Sequence, residues 1–227
     1  MAHPGGPGIA WEYLRAPALE RFLTMMYLEP VGTGGSDRLA THPHGYTRAR
    51  YSRHLAALID HLPVSRVHVL GHSHGGFVAQ YHALHRPDRL AGMVLYDSAP
   101  VTGPEHAAEA MRAVREFAAR HAGHPELPAV LQAFGAIPAI SDDEAMMAVA
   151  RAIVPAYVAD YWSDARRWAL LQDSLRATCI SEPQSPRRRR PAPADPRLAH
   201  VPGEQKGPKA PAALPRAAAH RPTGLRR

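Results

Sequence analysis

At 227 residues and 45% hydrophobic content, the chain is long enough for one sizeable domain with a real core, or for one domain and a tail. No run of about 18 apolar residues occurs, which excludes a helical membrane span, and no basic-then-apolar leader is seen, so no secretory signal is expected. The single cysteine, Cys179, excludes an internal disulfide and fits a cytoplasmic protein.

The net charge of +7 is unevenly placed. From Arg176 onward there are 12 Lys and Arg against 3 Asp and Glu, which leaves 15 against 17 in the first 175 residues. The body is near neutral and gives no reason to invoke nucleic acid.

In chain order, the chain opens at Met1-Ala2-His3-Pro4-Gly5-Gly6-Pro7-Gly8, a glycine-rich loop preceded by only two residues. Its backbone can approach a ligand closely and leave amides free to donate. Trp11 to Arg21, with Trp11, Leu14, Ala18 and Leu19 and then Phe22 on one face, predicts a short amphipathic helix in spite of Pro17. Phe22 to Leu28 predicts a buried strand, and Gly32 to Asp37 a loop. Thr47 to Leu62 predicts a helix whose apolar face carries Tyr51, Leu55, Leu58, Ile59 and Leu62. A strand at Val67 to Leu70, a helix from Phe77 to His85 stopped by Pro87, and a strand at Leu90 to Tyr96 follow. The alternation over residues 22 to 97 predicts a parallel sheet with right-handed crossovers, and ligand sites in such sheets lie at the C-terminal strand ends, where Ser73 and Asp97 fall.

Beyond Pro104 the pattern is helical to Ala177, with segments at Glu105 to His121, Leu127 to Phe134, one opened by the Ser141…Glu144 capping box, and Asp164 to Leu175. A helical insertion after a strand end is the usual build of a lid. Ser163, Asp164, Glu105, Glu109 and Glu116 are candidates for a carboxylate that meets a substrate amino group, or for a solvated face. Residues 178–227 hold Arg187-Arg188-Arg189-Arg190 and many Pro and Ala, with almost no large apolar side chains, and are expected to be disordered. An out-of-frame reading of GC-rich coding sequence yields the same composition.

The chemistry-bearing stretch is Gly71-His72-Ser73-His74-Gly75, which fits G-x-S-x-G between a β-branched strand and a helix. A serine on that sharp turn sits in strained backbone with its hydroxyl exposed at the sheet edge. The His74 N–H, at the start of the helix, is a candidate oxyanion donor, and the first glycine loop is the source of a second. A plain glycine-rich turn is the alternative.

These stretches resemble proline iminopeptidases. His3-Pro4-Gly5-Gly6-Pro7-Gly8 is similar to their His-Gly-Gly-Pro-Gly loop with one inserted proline. Tyr27-Leu28-Glu29-Pro30-Val31-Gly32-Thr33-Gly34-Gly35-Ser36 resembles a degraded Tyr-Asp-Gln-Arg-Gly-x-Gly-x-Ser stretch, and Val69 to Gly76 resembles their nucleophile elbow, with His74 where a tryptophan is common. The resemblance runs over roughly residues 3 to 175 and implies a partial α/β-hydrolase fold: a parallel sheet with flanking helices, a helical cap and a disordered C-terminal tail. The implied organisation is a core over 1–103, a cap or lid over 104–177 and a Pro/Arg/Ala-rich tail over 178–227. By the same resemblance Ser73 is the nucleophile and the oxyanion hole is the N–H of His74 with that of Gly6 or Gly5. The substrate is then a small molecule or peptide cleaved at an amide, an N-terminal peptide bond or an ester. The family's strands before the first loop, and its two strands after the cap with the triad acid and histidine, have no counterpart here, so the chain is expected to be cut at both ends.

A serine hydroxyl needs a base, and the base an orienting acid. Asp97, at the end of the strand after the elbow, is the candidate acid, or else a cap for the next turn. The order Ser…Asp…His leaves His200 and His220, both in the tail. His72 and His74 flank Ser73 on the wrong side to take its proton, His3 is structural, and His42, His44, His54 and His61 are expected at the surface. No cofactor and no metal site is expected, since neither His-Glu-x-x-His nor a cysteine pair occurs. No membrane partner is expected, and self-association into a homo-oligomer is left open. Two further readings are an impaired fragment lacking the triad histidine and an interaction protein acting through the basic tail.

Overall fold

The protein is described from a computed structural model covering residues 1–100 and 102–181. Among the described residues the sheet has three parallel strands, in the order β1 (Ala2–His3), β2 (Val67–His72) and β3 (Leu90–Tyr96). Ala2 pairs with Leu70 and His3 with Gly71, while β2 and β3 run in register from His68 opposite Gly92 to His72 opposite Tyr96. The strand therefore takes in Ala2 and the first residue of the expected loop, His3.

The expected strand over 22–28 is reduced to one parallel bridge, Ala2 with Tyr27. Phe22 and Leu23 are 81% and 57% exposed, so the first half of the run stays outside the sheet, while the Leu28 N–H donates to the Ala2 carbonyl at 2.9 Å and its side chain is buried. The expected helix over 11–21 is broken. A 3₁₀ turn covers Glu12–Leu14 and a single helical turn, α1 (Pro17–Glu20), starts at the proline, which suits a first helical position but not an interior one.

α2 (Arg48–His61) is capped by Thr47, whose hydroxyl oxygen accepts from the Arg50 N–H at 3.2 Å. Its buried face holds Tyr51, Leu55 and Ile59, one turn apart, while Leu58 points outward at 41% exposure. α3 (His74–His85) begins immediately after Ser73 and ends before Pro87. Leu55 and Ile59 of α2, Val67 and Val69 of β2, Ala79 of α3 and Leu28 form one core cluster. Val31, Tyr46, Tyr51 and Val78 form a second beside it, with Ile180 packed on. Both helices thus cover the sheet face that carries Val67 and Val69. On the other face His68 and Val94 are exposed, as the period of two requires.

Four helices follow: α4 (Pro104–Arg120), α5 (Leu127–Ala136), α6 (Asp143–Ala152) and α7 (Ala165–Ser174). They have their own apolar cluster of Phe117, Leu127 and Val130, with Phe134 and Trp162 packed against it. The cap of α6 is Asp142, whose carboxylate accepts from the Ala145 N–H at 2.8 Å, one residue later than the Ser141 box predicts. Asp164 caps α7. Glu109 and Glu116 both pair with Arg112 on an exposed face of α4, which uses them as surface ion pairs.

The tail does not begin at residue 178. Thr178 and Cys179 are buried, the Thr178 N–H donates to the Gly8 carbonyl at 2.8 Å, and the Cys179 N–H donates to Asp143 at 2.8 Å. The Ile9–Ala177 bridge and the Thr178 bond seat this segment against the N-terminal loop, the Cys179 bond ties it to the start of α6, and the Ser181 N–H donates to the Pro43 carbonyl at 2.8 Å. Residues 182–227 of the expected tail, with His200 and His220, lie outside the described residues. Among the described residues no helix is long and apolar enough to cross a membrane, and no group of His, Cys, Asp and Glu is arranged to hold a metal.

Candidate active site

Ser73 is the hinge between β2 and α3, with φ 48° and ψ −115°. A non-glycine residue there is strained, and the strain is held by packing on both sides. The Ser73 N–H donates to the Tyr96 carbonyl at 3.0 Å, and its carbonyl accepts from the Gly76 N–H at 2.9 Å. The turn also requires close backbone approach. A Cβ on Gly71 would lie 2.5 Å from the Gly75 carbonyl oxygen, and one on Gly75 would run into the carbonyl oxygens of His3 and Pro4. These two glycines let the elbow nest against the first loop.

That loop brings Gly5, not Gly6, to the serine. A Cβ on Gly5 would lie 3.2 Å from the Ser73 Cβ, whereas the nearest atoms to one on Gly6 are the amides of Gly8 and Ile9. His74 is the first residue of α3, so its backbone N–H stands at the helix end that favours negative charge. Its side chain turns into the core, 4% exposed, with its ring 5.4 Å from that of Tyr51 and 6.4 Å from that of His3.

His3 is wholly buried. Because a carbonyl only accepts, its Nδ1 carries the proton and donates to the Pro4 carbonyl at 3.0 Å. Its Nε2 has no hydrogen-bond partner among the described residues. Burial pushes its pKa down to about 4, with the Pro4 bond opposing and nearby His74 adding to the fall.

His72 precedes the serine and belongs to a network that sequence reading did not find. The Gly5 N–H donates to the Tyr13 hydroxyl oxygen at 2.7 Å, and that hydroxyl meets His72 Nδ1 at 2.5 Å. Burial lowers the His72 pKa, and the charge of Asp97 partly offsets it. Burial raises the Tyr13 pKa, with the Gly5 bond opposing. No sequence pattern marks Tyr13, which lies 59 residues from its histidine.

Asp97 directly follows β3 with φ 43°. It is exposed, and among the described residues its carboxylate has no hydrogen-bond partner, so it does not cap the following turn. Ser98 does the linking instead, its hydroxyl donating to the Ser73 carbonyl at 2.8 Å. Among the described residues no side chain accepts a hydrogen bond from the Ser73 hydroxyl. His44, His54 and His61 are exposed as expected, while His42 is half-buried with its Nδ1 3.0 Å from the Tyr46 hydroxyl. The helical segment meets the site's flank through Phe77 of α3, whose ring lies 5.7 Å from that of His106 in α4.

Residues 1–123 match the family of the alpha/beta hydrolase fold, and the chain belongs to that family. RutD of Caulobacter sp. (strain K31), whose name assigns it carbamate hydrolysis, is 37% identical over 91 residues, 40% of this chain and 33% of its own length. A 2-hydroxy-6-oxo-2,4-heptadienoate hydrolase of Pseudomonas putida is 33% identical over 107 residues, 45% of this chain and 37% of its own. A proline iminopeptidase of Lactobacillus crispatus (strain ST1) is 33% identical over 79 residues, 33% of this chain and 27% of its own. The crystal structure of a hydrolase from Pseudomonas aeruginosa shares 32% identity with a TM-score of 0.41, over 51% of this chain and 43% of that one. The chain spans about a third of the length of the curated relatives it matches.

Proposed function

We propose that this chain is a serine hydrolase that works through an acyl-enzyme on Ser73. The observation that carries the reading is the backbone of Ser73, at φ 48° between β2 and α3, with Gly5 packed on its Cβ. In the first half-reaction the Ser73 oxygen adds to a carbonyl carbon and its proton passes to a base. The oxyanion is held by the N–H groups of Gly5 and His74, and the amine or alcohol leaves with a proton. Water then repeats the addition on the acyl ester and restores the serine. Asp97, at the end of β3, is the proposed acid. The base comes from outside the described residues or from a partner.

The substrate class is a small amide, an N-terminal peptide bond or an ester, handled in the cytoplasm in keeping with the single cysteine, with helices α4–α7 as the lid. Similarity to a proline iminopeptidase supports the peptide end of that range. Similarity to RutD and to a 2-hydroxy-6-oxo-2,4-heptadienoate hydrolase supports a wider acyl range on the same serine.

The test is intact mass after exposure to a fluorophosphonate, beside a Ser73→Ala control. A single adduct on the parent that the control lacks is the expected result. Folded protein that takes up no adduct would leave the impaired-fragment reading, which the absence of a base on the Ser73 hydroxyl favours among the described residues.

A further inference from the structure

We propose that the Tyr13 hydroxyl is the resting occupant of the oxyanion position beside Ser73, holding the Gly5 N–H until a substrate oxygen displaces it. This rests on the serine-hydrolase reading above.

Four groups converge at this point. A Cβ placed on Gly5 would lie 2.9 Å from His72 Nδ1, 3.1 Å from the Tyr13 hydroxyl oxygen and 3.2 Å from the Ser73 Cβ. Gly5 lies against the serine, and its N–H, the oxyanion donor of the reading above, donates to the Tyr13 hydroxyl oxygen at 2.7 Å. One N–H makes one good hydrogen bond, so a substrate oxygen and the phenol oxygen compete for it.

The network has a direction. The phenol oxygen accepts from Gly5 at 2.7 Å and meets His72 Nδ1 at 2.5 Å, and with His72 carrying its proton on Nε2 the phenol donates to Nδ1. Each of the three groups then uses a donor or an acceptor that burial would otherwise leave unpaired. Burial favours the neutral histidine and the neutral phenol that this arrangement needs.

Tyr13 is held by its surroundings. It lies in the 3₁₀ turn Glu12–Leu14, closed by the Leu14 N–H to the Trp11 carbonyl at 2.8 Å, and Trp11 stacks on Tyr27 at 5.3 Å. Helix α7 packs against the same turn.

The test is Tyr13→Phe in the full chain, which keeps the ring and removes the competing oxygen. Acetate, a small oxyanion, is titrated while the Gly5 amide is followed by ¹⁵N–¹H spectroscopy, and fluorophosphonate labelling of Ser73 is timed in parallel. Acetate is expected to bind about fivefold more tightly to the variant, the worth of one ordinary hydrogen bond, and labelling to quicken by a similar factor. In the parent, acetate is expected to move the Tyr13 ring resonances together with the Gly5 amide. Unchanged or weaker acetate binding, slower labelling of a folded variant, or a Gly5 shift that leaves Tyr13 unmoved would overturn the proposal. If acetate tightens as expected but neither chain is ever labelled, the hydrolase reading fails while the Tyr13 occupancy stands.

Discussion

Ser98 donates its hydroxyl proton to the carbonyl oxygen of Ser73 across 2.8 Å, tying the loop after β3 to the strained elbow after β2. The bond spans 25 residues of sequence and fastens a peptide held at a strained, positive φ. A strained conformation persists only where its neighbours over-determine it.

Ser98→Ala removes that donor and leaves the carbonyl with the Gly76 amide alone. The expected loss is about 1 kcal/mol of stability, together with slower fluorophosphonate labelling of Ser73. Urea unfolding and the labelling rate check both. Unchanged labelling with unchanged stability would show that the elbow does not depend on Ser98.

Gly75→Ala places a methyl group onto the carbonyl oxygens of His3 and Pro4. These are backbone atoms of β1 and its loop, so neither can swing aside as a side chain would. A cost of about 1–3 kcal/mol is expected, with parting of the first loop from Ser73. The unfolding midpoint of the variant tests it, and a midpoint equal to the parent's would contradict the close approach.

His3 makes stability depend on pH in a definite direction. Its pKa is about 4 in the folded chain and 6.5 when exposed, so the unfolded chain takes up a proton more readily. The stabilisation is complete above pH 6.5 and is lost as the pH falls toward 4, to a total of about 3 kcal/mol. Burial of His72 and His82 acts with the same sign. Titration of the His3 ring by NMR is the direct check, and a midpoint near 6.5 would refute the burial argument.

The outer strand predicts how the isolated chain behaves. Met93, Val94, Leu95 and Tyr96 are between 38% and 52% exposed, although parallel strands are ordinarily covered on both faces. An apolar open edge invites pairing with another chain. Val94→Lys is expected to change stability by less than about 0.5 kcal/mol while lowering self-association, read by light scattering against concentration. No change in scattering would show that this edge is not what associates.

How much of this was legible beforehand depends on the range of the signal. β2, α3 and β3 were readable because each is a continuous local pattern: a β-branched run, a glycine-framed serine, a proline stop. The elbow was readable for the same reason, since its strain and its glycines fall within five consecutive residues. β1 was not, because two residues carry no periodicity, and it exists only because Leu70 and Gly71 lie alongside. Phe22 and Leu23 look like a strand by composition and are exposed because no neighbour pairs with them.

The sequence by itself determined the class of fold, the position of the serine and the near-neutral charge of the body, all of which follow from neighbouring residues and simple counts. Tertiary structure alone decided that Gly5 rather than Gly6 faces Ser73, that Tyr13 and His72 meet there, and that Thr178 and Cys179 belong to the folded body. The physical reason is that a hydrogen bond between residues 59 apart is set by how whole elements pack, and packing is a property of the assembled chain that no local pattern encodes.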